Sequence, residues 1–363
     1  MELQQQCEEK ALSTTYKPDL QNILKTENRL GYIDSAKGIG ILLVVIGHHL
    51  LGAEWIVNWI FSFHMPLFFI ITGILSGCRE KRDIKQLVAK KAKSLMYPYA
   101  IFSLLNLFWY LLFYEVLPFE PEESIGAVII KMITAYGYQA LWFLPVMFFA
   151  SILAELTGEG KRRWLWGSIY MLTGYLLAAL IENVQIASVY RDVLRYIGRI
   201  CIAVTFIYIG NFVYQIVVRL NRRKQWIILA VTGAISCFGG IVSYNLAVLR
   251  IGNPIVYYAL SCAGSIFILL LCKITALGRS NILGWLGKNS LIIMALHMGF
   301  PIEIAWILLG VSGITQMADA TVCSMFAIAI ELMILCASIY MINRYFPFVV
   351  YPIKKRCEKY NGV

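Results

Sequence analysis

All four histidines of this 363-residue chain fall in stretches otherwise suited to hydrocarbon: His48, His49, His64 and His297. An ionisable side chain in such a stretch is costly and is a candidate for function. Imidazole also suits proton transfer near neutral pH, or nucleophilic catalysis. The first stretch runs Asp34-Ser35-Ala36-Lys37-Gly38 to Gly47-His48-His49. Lys37 and His48 are close to three helical turns apart, which puts both on one face with about 16 Å between them. Asp34 is three residues before Lys37, in reach of an ion pair. Two readings fit this spacing. Lys37 snorkels to headgroups while His48 sits at the opposite interface, or the helix carries a cation at one end of a site and a proton-transfer group at the other. His49 points about 100° away from His48 and reads as structural. Gly38 and Gly40 follow no strand, so they fit close helix packing better than a dinucleotide fingerprint.

His64 stands in Phe63-His64-Met65-Pro66. A proline inside a helix frees a carbonyl that something must satisfy. Either His64 serves that polar gap, or it faces the same cavity as His48. His297 comes about two turns after Gly287-Lys288-Asn289-Ser290-Leu291, with Glu303 just past Pro301, and a mid-membrane histidine usually faces a polar interior. Glu331 is expected to pair with another helix, and Trp142 in Leu141-Trp142-Phe143-Leu144-Pro145 fits an outer aromatic belt. Arg195 and Arg199, with Arg191 one turn earlier, share a helix face. They contact headgroup phosphates or bind an anionic acceptor.

The elements that must position these groups follow from composition. At 59% hydrophobic and 15% charged, with mean hydropathy +0.69, the chain is too apolar for a soluble globule, a disulfide scaffold or a disordered chain. An all-α polytopic membrane protein remains. Apolar runs long enough to cross a bilayer are expected at 34–52, 56–77, 97–117, 138–157, 164–182, 197–218, 226–246, 254–273, 289–310 and 322–345, about ten transmembrane helices. A short amphipathic helix is expected at 125–133. Residues 1–30 form a polar tail, 31–345 the transmembrane domain and 346–363 a basic tail. With these spans, 27 of the 32 lysines and arginines fall on one side. Positive charge marks the cytoplasm, so both termini are expected there. Basic residues split among separate inner segments, with no recognition module, argue against nucleic acid. The nine cysteines are scattered singly, without metal-ligand spacing, and no metal is expected.

Four of these segments, in this order, resemble the acyltransferase-3 family of integral membrane O-acyltransferases. They are Asp34–Lys37–Gly38 through His48, Phe63-His64-Met65-Pro66-Leu67-Phe68-Phe69 through Gly73, Leu141–Pro145, and Gly287–Leu291 through His297. The first resembles the family's basic residue, ten intervening residues, then histidine. Many members carry Arg where this chain has Lys37, which keeps the charge but loses a bidentate phosphate contact. The resemblance implies transfer of an acyl group, acetyl foremost, from cytoplasmic acyl-CoA to a hydroxyl of a carbohydrate or other cell-envelope acceptor. It implies catalysis by His48, His64 and His297, donor binding by Lys37 and Asp34, no bound cofactor, and residence in the cytoplasmic membrane. Acyl-histidine and direct transfer both fit. The rival reading is a transporter or flippase of a sugar or lipid-linked precursor; the lack of an internal repeat and the Lys37–His48 geometry weigh against it.

Overall fold

The computed structural model describes residues 31–77, 83–116, 123–158 and 162–350. The two expected tails, and Arg79, Lys81 and Arg82, lie outside the described residues or largely so. Among the described residues the chain is helical, with one isolated backbone pairing between Asn245 and Arg250.

Helix α1 (Gly31–His49) leads through a short turn to α2 (Glu54–Gly77). Helix α3 (Ile84–Lys91) continues through a π-helical turn at Ala92–Met96 into α4 (Tyr97–Val116). The widened turn sits just before Pro98, which can neither donate a backbone hydrogen bond nor tolerate the regular carbonyl position one turn back. The stretch between the expected spans 56–77 and 97–117 is therefore helical from Ile84. Helix α5 (Ile125–Ile133) is the expected short amphipathic helix, started by Ser124, whose hydroxyl accepts from Ala127 N–H. A 3-10 turn at Gln139–Trp142 enters α6 (Phe143–Thr157). Then come α7 (Arg162–Asn183), α8 (Ser188–Arg219) and α9 (Arg222–Cys237). Helix α8 begins nine residues before the expected span, so Arg191, Arg195 and Arg199 lie within the helix. The expected span 226–246 ends at a 3-10 turn, Phe238–Ile241, where Gly239 and Gly240 release the helix.

Helix α10 (Pro254–Ile274) starts with proline at its first position behind the Asn253 cap. Short helices α11 (Asn281–Lys288) and α12 (Ser290–Leu296) precede α13 (Phe300–Val311) and α14 (Ile314–Met317), and α15 (Ala320–Tyr345) closes the bundle.

Among the described residues, eight helical runs are long and apolar enough to cross a membrane: Glu54–Gly77, Ile84–Phe113, Gln139–Thr157, Arg162–Asn183, Ser188–Tyr214, Arg222–Ile241, Pro254–Ile274 and Ala320–Tyr345. The expected span 289–310 is not one straight helix, because α12 and α13 are bent 60° to each other. The break falls at His297–Gly299. Pro301 cannot leave the His297 carbonyl in a regular helix. The expected first span is the 19-residue α1, whose Asp34, Lys37, His48 and His49 lower its hydropathy. The protein is thus a multi-pass, all-helical membrane protein.

Helices α1, α2, α8 and α10 make the centre, with Ile41, Phe63, Phe69, Phe206, Tyr257 and Leu269 buried among them. Helices α2 and α8 touch backbone to backbone: a Cβ on Gly73 would overlap the Ile207 carbonyl, and one on Gly210 the Ile70 carbonyl. Small residues let membrane helices approach this closely and gain packing where lipid offers no hydrophobic drive. Helix α7, in contrast, turns most of its side chains outward and packs on α8.

Candidate active site

The Lys37 end of α1 opens on a cavity of about 450 Å³. Its polar lining includes Asp34, Lys37, Thr72, Lys91, Lys288 and Ser290, and its apolar lining Phe68, Phe143, Met147, Leu291 and Met294. The expected ion pair is present, Lys37 Nζ lying 3.5 Å from Asp34 Oδ1. Lys91 Nζ donates to Ser151 Oγ at 3.1 Å. Helix α11 fixes the cavity's edge by lying directly on α1. A Cβ on Gly38 would overlap the Leu283 carbonyl, and a Cβ on Gly287 the Asp34 carbonyl. This is the close packing expected of Gly38, and it brings Lys288 to the mouth beside Lys37.

The other end of α1 carries the histidines, and here the structure brings together residues from three helices. The His48 ring lies 5.3 Å from His297 and 5.5 Å from Phe61 between centroids, and Phe61 lies 5.0 Å from His64. His64 and His297 are buried; His48 is half-buried. His64 Nδ1 faces the Ile60 carbonyl at 2.8 Å, and His297 Nδ1 faces the carbonyls of Ile293 and Met294 at 3.1 Å each. A carbonyl only accepts, so each Nδ1 carries hydrogen, and in the neutral ring each Nε2 keeps its lone pair. The Nε2 of His297 is buried without a hydrogen-bond partner.

One of the two readings of His64 is overturned. The carbonyl that Pro66 frees is that of Ser62, one turn back, and it accepts from the Ser261 hydroxyl of α10 at 2.6 Å. His64 is not needed there. His49 is structural as expected. It pairs with Glu331 of α15, both side chains fully buried, and stacks near Trp306 at 6.0 Å. Leu51 N–H donates to Ser324 Oγ at 3.0 Å, so α15 holds the end of α1 at two points around His48.

Cavity and histidines nearly meet. Phe68 and Met294 line the cavity, and each is about one turn along its helix from His64 or His297. Lys91 was legible only as a charge marking the inner face, and Ser261 and Phe61 gave no sequence signal, since their partners lie on other helices.

The arginines do not join the histidines. Arg195 pairs with Asp192 at 2.9 Å, and Arg199 is buried against the rings of Tyr136 and Trp142. Trp142 is therefore no interfacial belt residue: it is 6% exposed, turned inward onto a cation.

Histidines from three helices and a lysine-lined cavity thus lie along one helix of a multi-pass bundle. A family model described as an acyltransferase domain, acyltransferase-3, matches residues 30–341. The chain belongs to this acyltransferase family. It is also 31% identical over 154 residues to the nodulation protein NolL of Mesorhizobium japonicum, a match spanning 39% of this chain and 39% of that protein. No solved structure matches the chain.

Proposed function

We propose that the protein is an O-acetyltransferase of the cytoplasmic membrane. It takes an acetyl group from acyl-CoA bound at the lysine-lined cavity and delivers it to a hydroxyl of a carbohydrate or other cell-envelope acceptor. The observation that carries this reading is the convergence of His48, His64 and His297 about one turn from the end of a cavity lined by Lys37, Lys91 and Lys288. Three ammonium groups at the mouth suit the CoA phosphates, and the apolar lining suits the acyl-bearing arm. The donor is a substrate; the reaction needs no resident cofactor.

In the transfer, His48 takes the proton of the acceptor hydroxyl as its oxygen attacks the thioester carbonyl carbon. The carbon–sulfur bond breaks, and the imidazolium returns the proton to the departing thiolate. His297 and His64 lie in the same cluster and accept hydrogen bonds from hydroxyls of the acceptor, holding it in line. His48 as an acyl carrier reaches the same products in two steps. Asp34 holds Lys37 over the donor.

The topology proposed with this reaction has ten crossings, counting α1 and the bent α12–α13 pair, and both termini in the cytoplasm. Reporter fusions at Lys93, Arg223 and Lys355 are expected to read as cytoplasmic, and fusions at Glu122 and Asp319 as external. The reaction is tested with purified protein in lipid nanodiscs, labelled acetyl-CoA and an extract of envelope glycans. Wild type transfers label and His48→Ala does not. Acceptor flux across vesicles without acyl transfer would instead establish the transporter reading.

A further inference from the structure

Arg191, Arg195 and Arg199 recur every fourth residue on α8 and share a face. Arg191 Nη2 donates to the Ile186 carbonyl at 2.9 Å. Arg195 Nη1 donates to Asp192 Oδ1 at 2.9 Å and to the Tyr136 hydroxyl at 3.3 Å. Arg199, 4% exposed, donates through Nη2 to the Ala247 carbonyl and to the Tyr136 hydroxyl. Its guanidinium carbon lies 4.9 Å from the Tyr136 ring centroid and 4.8 Å from that of Trp142.

These bonds leave much unmatched. Nε and Nη1 of Arg199, Nε of Arg195 and the Tyr196 hydroxyl are buried without partners. Asp192 is the one carboxylate paired with this arginine face among the described residues. A buried guanidinium short of both hydrogen bonds and counter-charge is costly to keep. The aromatic cover is costly too. Ala135 (φ 56°) and Gln139 (φ 50°) hold left-handed backbone without being glycine, and a Cβ on Gly137 (φ 86°) would overlap the Trp142 backbone. Strain of this kind persists where the surroundings enforce it, commonly at ligand sites.

The position is also telling. Helices α2 and α8 run in the same direction, Gly73 meeting Ile207 and Gly77 meeting Asn211. Counting back along each from there, His64 and Arg199 lie roughly 14 Å and 12 Å toward the same end of the bundle. The strained segment joins the two regions. Its Tyr136 and Trp142 cover Arg199, while its Gln139 lines a small cleft with Asn106, Glu303 and Gly299, of which Gly299 is two residues past His297.

We propose that Arg195 and Arg199, covered by Tyr136 and Trp142, form a binding site for a phosphate-class oxyanion. This rests on the acetyltransferase reading only for its purpose, which is to hold an anionic acceptor with its hydroxyl toward the histidines. The planar guanidinium offers a fork of N–H donors that matches phosphate, and a water-poor cover strengthens the contact. The same chemistry is offered by an acceptor-borne phosphate and by an anionic lipid headgroup.

The test is the unfolding temperature of the full chain in phosphatidylcholine nanodiscs, with inorganic pyrophosphate against chloride at matched ionic strength. A ligand that binds the native state raises that temperature saturably. Wild type is expected to show the rise, Arg199→Lys part of it, and Arg199→Gln none. Should Arg199→Gln fail to insert, Arg195→Gln carries the test with a reduced rise. Repeating the titration in phosphatidylglycerol nanodiscs separates the sources: suppression of the rise assigns the site to a lipid headgroup, persistence to the acceptor. No pyrophosphate-specific rise in wild type, or an equal rise in the glutamine variants, overturns the site. Acetyl transfer on the same preparations keeps the two proposals apart. Transfer without the rise removes only this site, and the rise without transfer removes only the acetyltransferase reading.

Discussion

The two ends of α1 are built on opposite principles. At one end Lys37 and Asp34 keep 24% and 18% of their side chains exposed, pair with each other at 3.5 Å, and border a 450 Å³ cavity. At the other end His49 and Glu331 are sealed from solvent, His64 and His297 are buried, and a second helix is fastened to the chain at Leu51. A loose, partly exposed ion pair beside further lysines can adapt to a large phosphate-bearing molecule that arrives and leaves, as the proposed donor would. A packed cluster of rings with tautomers fixed by backbone carbonyls suits a step in which atoms must sit within tenths of an ångström. Substitutions at the two ends should therefore fail differently: rate and stability at the histidine end, donor affinity at the lysine end.

The largest effect is expected in the histidine cluster. Loss of a general acid or base costs about 10²–10⁴ in rate, so His48→Ala should reduce turnover by that factor while the protein still inserts and melts normally. His297→Gln should show a loss of the same kind, because its ring lies 5.3 Å from that of His48 and its buried Nε2 has no partner. Single-turnover measurement of label transfer at saturating acetyl-CoA reads this directly. A loss confined to the KM for acetyl-CoA would break the contrast between the ends.

Next comes Glu331. Removing one partner of a buried hydrogen-bonded pair leaves the other unsatisfied, at a cost of about 1–3 kcal/mol, more where the group is charged. Glu331→Ala is expected to lower the midpoint of unfolding strongly, with turnover falling in step as His48 loses its anchor. Glu331→Gln, which keeps a hydrogen bond to His49, should recover part of both. If Glu331→Ala melts like wild type, α15 is not what holds this end of α1.

At the lysine end the backbone is the vulnerable part. The Cβ of Gly287→Ala would overlap the Asp34 carbonyl, and only separation of α11 from α1 relieves it. Overpacking of this kind costs about 1–3 kcal/mol. Since Lys288 is adjacent, acetyl-CoA binding should weaken along with thermal stability, while any residual turnover at saturating donor stays close to wild type.

How much of this was legible depended on whether the relevant contact was local. Eleven residues of separation sufficed to place Lys37 and His48 on one face, and three to place Asp34 beside Lys37, because a helix dictates both. The pairing of His49 with Glu331 was half visible, as two polar groups in apolar runs that each needed a partner. The reading of His64 as a patch for the Pro66 gap failed because the patch, Ser261, comes from a helix almost two hundred residues away. The broken ninth span was hidden behind apolar composition, although Gly299 and Pro301 carried the signal. Trp142 looked interfacial because its partner Arg199 belongs to another helix, and hydropathy is blind to which cation an aromatic ring will cover.

The smallest effect should come from Lys37 itself. It is partly exposed, its bond to Asp34 is long, and Lys91 and Lys288 line the same cavity. A partly exposed charge contact is worth about 0.2–1 kcal/mol, so Lys37→Ala should raise the KM for acetyl-CoA by only a few-fold, with kcat nearly unchanged. Lys37→Arg keeps the charge and adds a fork of donors suited to phosphate, and its KM should equal or fall below that of wild type. Raising ionic strength should shrink the difference between the three proteins, because exposed charges are screened. Kinetics that are the same in all three proteins at low salt would return Lys37 to a snorkelling role and leave Lys91 and Lys288 as the donor's cations.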